Sequence, residues 1–130
     1  MDEQVIELAG KPIRLVRPRS YAARMDVVMA ASGNTMRAMA AALGLCWAQV
    51  GAGVQRPLRT TLAAHKYDAL AYGGAVLDEL LGVRGVSAQD LAPALTAAWQ
   101  LCTADLITAE EVAEAEDFTG ATPTGQESPG

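Results

Sequence analysis

The sequence predicts a mainly α domain: a short N-terminal β-hairpin followed by a bundle of four to five helices. Three observations carry this. Ala (26) and Leu (14) dominate 130 residues while Ile (3) and Phe (1) are scarce, and the first pair leads the helix scale while the second favours strands. Apolar residues recur at three- and four-residue spacing through the middle of the chain. Period-two alternation of any strength is confined to the first seventeen residues. The length fits one domain with one core; we place it at residues 1–118, with a disordered tail over 119–130.

The hairpin, about residues 4–17, comes from QVIEL and IRLVR with AGKP as the turn between them. Val5 or Ile6 with Leu8 would face Ile13 and Leu15. A lone hairpin is marginal in water, so it must lie on the helices. Pro18 ends it, and Ser20 caps a first helix to about Ala31, with Tyr21, Met25, Val28 and Met29 on one side. Asn34 caps a second helix to about Val50 whose stripe is Met36, Met39, Leu43, Trp47 and Val50. Gly44 inside it costs up to about 1 kcal/mol of helix propensity, which suggests that it admits a neighbouring helix.

GAGVQRP (51–57) breaks the chain, and 58–67 give no clear pattern. Asp68 caps a third helix to about Leu81, with Leu70, Gly74, Leu77 and Leu81 inward; Gly73 and Gly74 allow another backbone close. GVRG (82–85) supplies the stop. Ser87 opens a capping box, but a start there would put Pro93 in the helix interior at about 3 kcal/mol. We therefore place the cap at Asp90, with Leu91, Leu95, Trp99 (or Ala98), Cys102 and Leu106 on the inner face. Trp47 and Trp99 should both be buried. Thr108-Ala-Glu-Glu111 is a capping box for a short fifth helix, 109–117. The Pro/Gly/Ser/Thr-rich remainder reads as the tail.

The charge is uneven. Residues 1–66 carry +5 and residues 67–130 carry −10 within a net −5. Such blocks mark a binding surface, an acidic tail or solvated faces. The acidic start MDEQVIEL is no secretory signal. The longest uncharged run, Ala38–Gln55, is too rich in Ala and Gly for a membrane span. Cys46 and Cys102 read as buried free thiols, which fits a reducing cytoplasm.

Chemistry finds little footing. His65 is the only histidine, no G-x-S-x-G occurs, and one His with two distant Cys does not make a metal site. GAG at 51–53 follows a helix and lacks the third glycine of a dinucleotide fingerprint. Asp78-Glu79 and Glu110-Glu111 diverge by about 100° on a helix and read as solvated faces or caps. We expect no enzyme activity, no cofactor and no metal.

Two clusters are candidate binding sites. Lys11, Arg14, Arg17, Arg19 and Arg24 could meet phosphates, but the chain is acidic overall and shows no nucleic-acid-binding motif. An acidic partner segment, or the chain's own acidic C-terminal region, fits better. Met25, Met29, Met36 and Met39 fall across the first two helices. Plain core is the favoured reading, yet methionine also suits surfaces that grip varied apolar partners, and this cluster is the best residue-level sign of a chaperone-like surface.

Two segments, IRLVRPRSY at 13–21 and AYGGAVLDELLGVRGVS at 71–87, together with the acidic end EEVAEAEDFTG, give the chain a familiar order of elements. Over about residues 4–118 it resembles the small tail assembly chaperones of long-tailed bacteriophages, prophages and gene transfer agents. The resemblance implies a non-enzymatic role in the host bacterial cytoplasm. Its partner would be the tape measure protein, kept soluble until the tail tube polymerises around it, with the tail tube protein as a further contact. Such proteins are commonly made in a short and a frameshifted long form. A structural virion component (a connector or tail completion protein) and a small DNA-binding regulator stay open as alternatives. So does self-association.

Overall fold

The computed structural model describes residues 2–48 and 55–106. The hairpin consists of β1 (Glu3–Leu8) and β2 (Lys11–Val16), antiparallel, with Ile6 opposite Ile13 and Gln4 opposite Leu15. Its two-residue turn, Ala9-Gly10, has φ of 52° and 80°. A turn with two left-handed residues matches the twist of the strands, and glycine supplies one of them at no steric cost. Side chains alternate across a sheet, so Leu8, Ile13 and Leu15 share the fully buried face, with Ile6 half-buried and Val5 64% exposed. Of the two residues offered for that position, Ile6 faces the core.

Four helices follow among the described residues: α1 (Tyr21–Ala30), α2 (Thr35–Cys46), α3 (Ala69–Leu77) and α4 (Ala88–Thr103). Each N-terminus is closed by a side chain that accepts an otherwise unpaired backbone N–H. Ser20 takes Ala23 N–H at 3.1 Å, Asn34 takes Arg37 N–H at 3.0 Å and Asp68 takes Ala71 N–H at 3.0 Å. The hairpin lies against α2 and α4, and a bridge between Leu15 and Trp47 ties β2 to the end of α2. That bridge ends α2 before Val50: Trp47 has already turned to extended backbone (φ −63°, ψ 114°).

The cap of α4 is Ser87, not Asp90. Ser87 Oγ accepts Asp90 N–H at 3.1 Å, and Pro93 sits inside the helix. The carbonyl deprived of its donor belongs to Gln89, four residues earlier. Gln89 and Pro93 are both exposed, so water can serve that carbonyl while the early start lets Leu91 bury.

Helix phases also differ from the stripe of largest residues. On α3 the buried residues are Ala69, Tyr72, Gly73 and Val76, not Leu70, Gly74 and Leu77, which are half-buried. The close approach of α2 decides this. A Cβ on Gly73 would lie 1.8 Å from the Arg37 carbonyl oxygen, and one on Gly44 would lie 2.4 Å from the Tyr72 hydroxyl. Small residues set the contact, and the leucines flank it. On α2 the buried set is Ala38, Ala40–Leu43, Gly44 and Cys46; Met36 is exposed and Met39 half-buried. On α1 it is Arg24 and Val27, not Tyr21, Met25, Val28 and Met29. After α3 the chain widens into a π-helical turn over Asp78–Val83, with Arg84 N–H reaching Glu79 O at 2.8 Å. It closes at Gly85 (φ 70°), where Val86 N–H bonds Leu80 O. This widened turn buries Leu80 and leaves Leu81 36% exposed. The segment 58–67 is loop with one 3-10 turn, Ala63–His65.

The core joins the hairpin's inner face to Leu43 and Trp47 of α2, Tyr72, Val76 and Leu80, and Leu91, Leu95 and Leu101 of α4. Trp99, expected inside, is half-buried, and α4 ends before Leu106. Trp47→Ala should therefore cost about 3–5 kcal/mol and Trp99→Ala about half as much. Acrylamide should quench one native indole readily and the other poorly. Burial, reinforced by the Glu79 charge and by Cys46, pushes the Tyr72 phenol up to about 12. Because the folded value lies above the unfolded one, stability should fall as pH rises from about 10 towards 12. An ultraviolet titration should show one tyrosine ionising late. The expected fifth helix over 109–117, the tail from 119 and Val50 lie outside the described residues.

Candidate partner-binding surface

The methionine cluster divides. Met29, at the end of α1, is 68% exposed and Met36, at the start of α2, is 54% exposed; they stand on either side of the 31–34 turn. Met25 is half-buried, and Met39 is half-buried against the core. Tyr21, one turn before Met25, is 43% exposed. Tyr21, Met25 and Met29 recur every four residues, so they follow one line along α1. The turn itself is firm: Gly33 and Asn34 N–H both bond Ala30 O, and Ser32 Oγ donates to Met29 O at 3.1 Å. Exposed, flexible thioether side chains on a rigid corner suit an apolar partner of variable shape.

The basic cluster is largely committed within the fold. Arg14 pairs with Glu3 at 2.9 Å on the exposed side of the hairpin. The hydrogen bond and charge of each partner hold the Glu3 carboxyl low and push the Arg14 guanidinium up. Arg17 reaches Asp2 at 3.2 Å and Asp105 at 3.0 Å, which pins the end of α4 to the end of β2. Arg24 is 7% exposed; it donates to Ala104 O at 3.0 Å and lies 5.4 Å from the Tyr21 ring centroid. Lys11 and Arg19 are exposed. The structure does not gather these cations into one phosphate-facing surface. Four of them brace the termini or meet solvent at separate places, and Arg24 turns inward.

A second polar cluster, not expected from the sequence, surrounds Glu79. Instead of a solvated face, Glu79 is 7% exposed because the π-helical turn carries it inward. It accepts Arg59 N–H at 3.0 Å, Thr60 N–H at 3.2 Å and the Arg84 guanidinium at 2.8 Å. Burial opposes its ionisation, but these donors and the Arg84 charge outweigh it and hold the carboxyl below its ordinary value. Arg84 donates in turn to Arg56 O and Pro57 O and lies 5.8 Å from the Trp47 ring centroid. The cluster edges a cleft of about 430 Å³ between the hairpin turn and the π-helical turn. Gln55, 5% exposed, splints β2 by exchanging hydrogen bonds with Arg14 N–H and Arg14 O. These contacts fix 55–60 to the domain.

His65 Nε2 lies 2.8 Å from Thr60 Oγ1, with its ring 6.3 Å from that of Tyr72. Among the described residues no three His, Cys, Asp or Glu side chains converge as a metal site would require, and no helix is long and apolar enough to cross a membrane. Comparison with family models, with curated proteins and with solved structures found no match.

Proposed function

We propose that this protein is a non-enzymatic assembly chaperone that binds a helical, aggregation-prone partner through the methionine corner between α1 and α2. The observation that carries the reading is the exposure of Met29 (68%) and Met36 (54%) on a domain whose interior is packed mainly with Ala and Leu. Large apolar side chains are left outside where a partner can cover them. The resemblance of residues 13–21 and 71–87 to phage tail assembly chaperones suggests the partner: a tape measure protein, held soluble in the bacterial cytoplasm before the tail tube forms around it.

The test is co-expression of the full chain with a candidate tape measure protein. The expected result is a rise in the soluble fraction of that protein and a complex that survives purification. Equal solubility with and without this chain, and no complex, would contradict the proposal. Retention of the chain in finished particles would favour a structural virion component instead.

A further inference from the structure

Cys46 is the last residue of α2 and Cys102 the last but one of α4. Both are free and buried, at 1% and 0% exposure, and their sulfurs are 3.7 Å apart. That is van der Waals contact between two thiols 56 positions apart in sequence. A disulfide needs the sulfurs at about 2 Å, a closure that two side chains can share by small rotations at the ends of two packed helices. Cys46 Sγ also lies 3.7 Å from Ala98 O, so its thiol has both the carbonyl and the other sulfur within reach.

The surroundings set the two thiols apart. Arg24, 7% exposed, carries its charge beside the end of α4 through its bond to Ala104 O, and no carboxylate of the described residues pairs with it. The hydrogen bond from Cys46, aided by the Arg24 charge, favours the Cys102 thiolate, while the same hydrogen bond and burial hold Cys46 as the thiol. Both helix ends are held by the fold, at the Leu15–Trp47 bridge and the Arg17–Asp105 pair, so access to the sulfurs takes a local opening that loosens one of these contacts. A small oxidant then reaches sulfurs that are closed in the ground state.

We propose that Cys46 and Cys102 form a reversible disulfide site, closed by a peroxide-class oxidant and reopened by a dithiol, that locks the end of α2 to the end of α4. The Cys102 thiolate attacks a peroxide oxygen. The S–O bond forms as the O–O bond breaks, and the leaving oxygen takes a proton to give water or an alcohol. Cys102 is now a sulfenic acid, oxidised by two electrons. Cys46 sulfur attacks it; the S–S bond forms, the S–O bond breaks, and hydroxide leaves with the Cys46 proton as water. Two thiols and one peroxide thus give one disulfide, with all atoms and electrons accounted for.

The experiment uses the native full chain, treated with hydrogen peroxide, quenched, alkylated in denaturant and weighed intact. The expected result is loss of two hydrogens, no alkylation, and a digest peptide joining the Cys46 and Cys102 segments. The thermal midpoint should rise by about 5 °C or more over the reduced protein, because the link shortens a long unfolded loop. Dithiothreitol should reverse both changes, and Cys46→Ser or Cys102→Ser should abolish the joined peptide. Oxygen adducts without a joined peptide, a disulfide only between two chains, thiols that react only after denaturation, or a lowered midpoint on oxidation would each overturn the proposal. The mass of the wild-type chain decides the matter even where a serine variant does not fold.

Discussion

Gly73→Ala should destabilise the protein by at least about 3 kcal/mol, and by more than the same change at any other described glycine. The added Cβ would stand 1.8 Å from the Arg37 carbonyl oxygen, which is backbone and cannot rotate aside. Helices α2 and α3 would have to part, and Tyr72 and Val76 would lose their packing with them. Gly44→Ala is the matched comparison. Its Cβ meets the hydroxyl end of the buried Tyr72 ring at 2.4 Å, a side chain that can shift by repacking where a backbone carbonyl cannot, so a loss of about 1–3 kcal/mol is expected. Gly82→Ala meets nothing within 4 Å and should be near neutral. Denaturant unfolding of the three variants should give that order; equal losses at Gly73 and Gly82 would mean that the helices do not approach as described.

Glu79→Ala should cost about 3–5 kcal/mol, the range for removing one member of a buried ion pair. The side chains of Glu79 and Arg84 are only 8% and 15% exposed. Truncation would leave the Arg84 charge without its carboxylate and the Arg59 and Thr60 N–H groups without their acceptor. Glu79→Gln keeps the shape and one acceptor oxygen, so it should cost less. The same carboxyl sets an acid limit. Its folded value is depressed, so its contribution is fully present above the unfolded value of about 4.3 and is lost as pH falls through the folded one. Urea midpoints measured from pH 6 down to pH 3 should fall in wild type and stay flatter in Glu79→Gln. Parallel curves would remove Glu79 from the account.

Those two positions also show where the sequence was legible. The hairpin face of Leu8, Ile13 and Leu15 followed from period-two alternation, and the caps at Ser20, Asn34 and Asp68 followed from side-chain chemistry at helix starts. The close approach at Gly44 and Gly73 could be expected from glycine placed inside helices. The helix phases could not, because in an Ala-rich bundle the tightest contact forms where side chains are smallest. A stripe drawn through the largest residues then lands on the flank, as it did on α1 and α3. Arg24 and Glu79 carry no hydropathy signal for burial; only the carbonyl of Ala104 and the N–H groups of Arg59 and Thr60, brought close by the fold, make it affordable. Pro93 weighed correctly as a cost but lost to the Ser87 cap.

The methionine surface is the part of the reading on which function rests. Of the four methionines on the first two helices, the fold leaves Met29 and Met36 outside and takes Met25 and Met39 half inside. Most arginines of the candidate cluster are held by Glu3, Asp2, Asp105 or Ala104, so an apolar rather than an ionic contact is expected to dominate. Exposed ion pairs contribute under about 1 kcal/mol each and weaken with salt.

The most direct test is the affinity of the full chain for its helical partner, compared between Met29→Asp/Met36→Asp and Arg14→Ala/Arg19→Ala, with the unfolding midpoint of each measured alongside. The account predicts that the methionine variant loses about tenfold or more in affinity while remaining folded, and that the arginine variant changes by less than about threefold at 0.15 M salt. Full affinity in the folded methionine variant, or a larger loss from the arginines that deepens with salt, would contradict it.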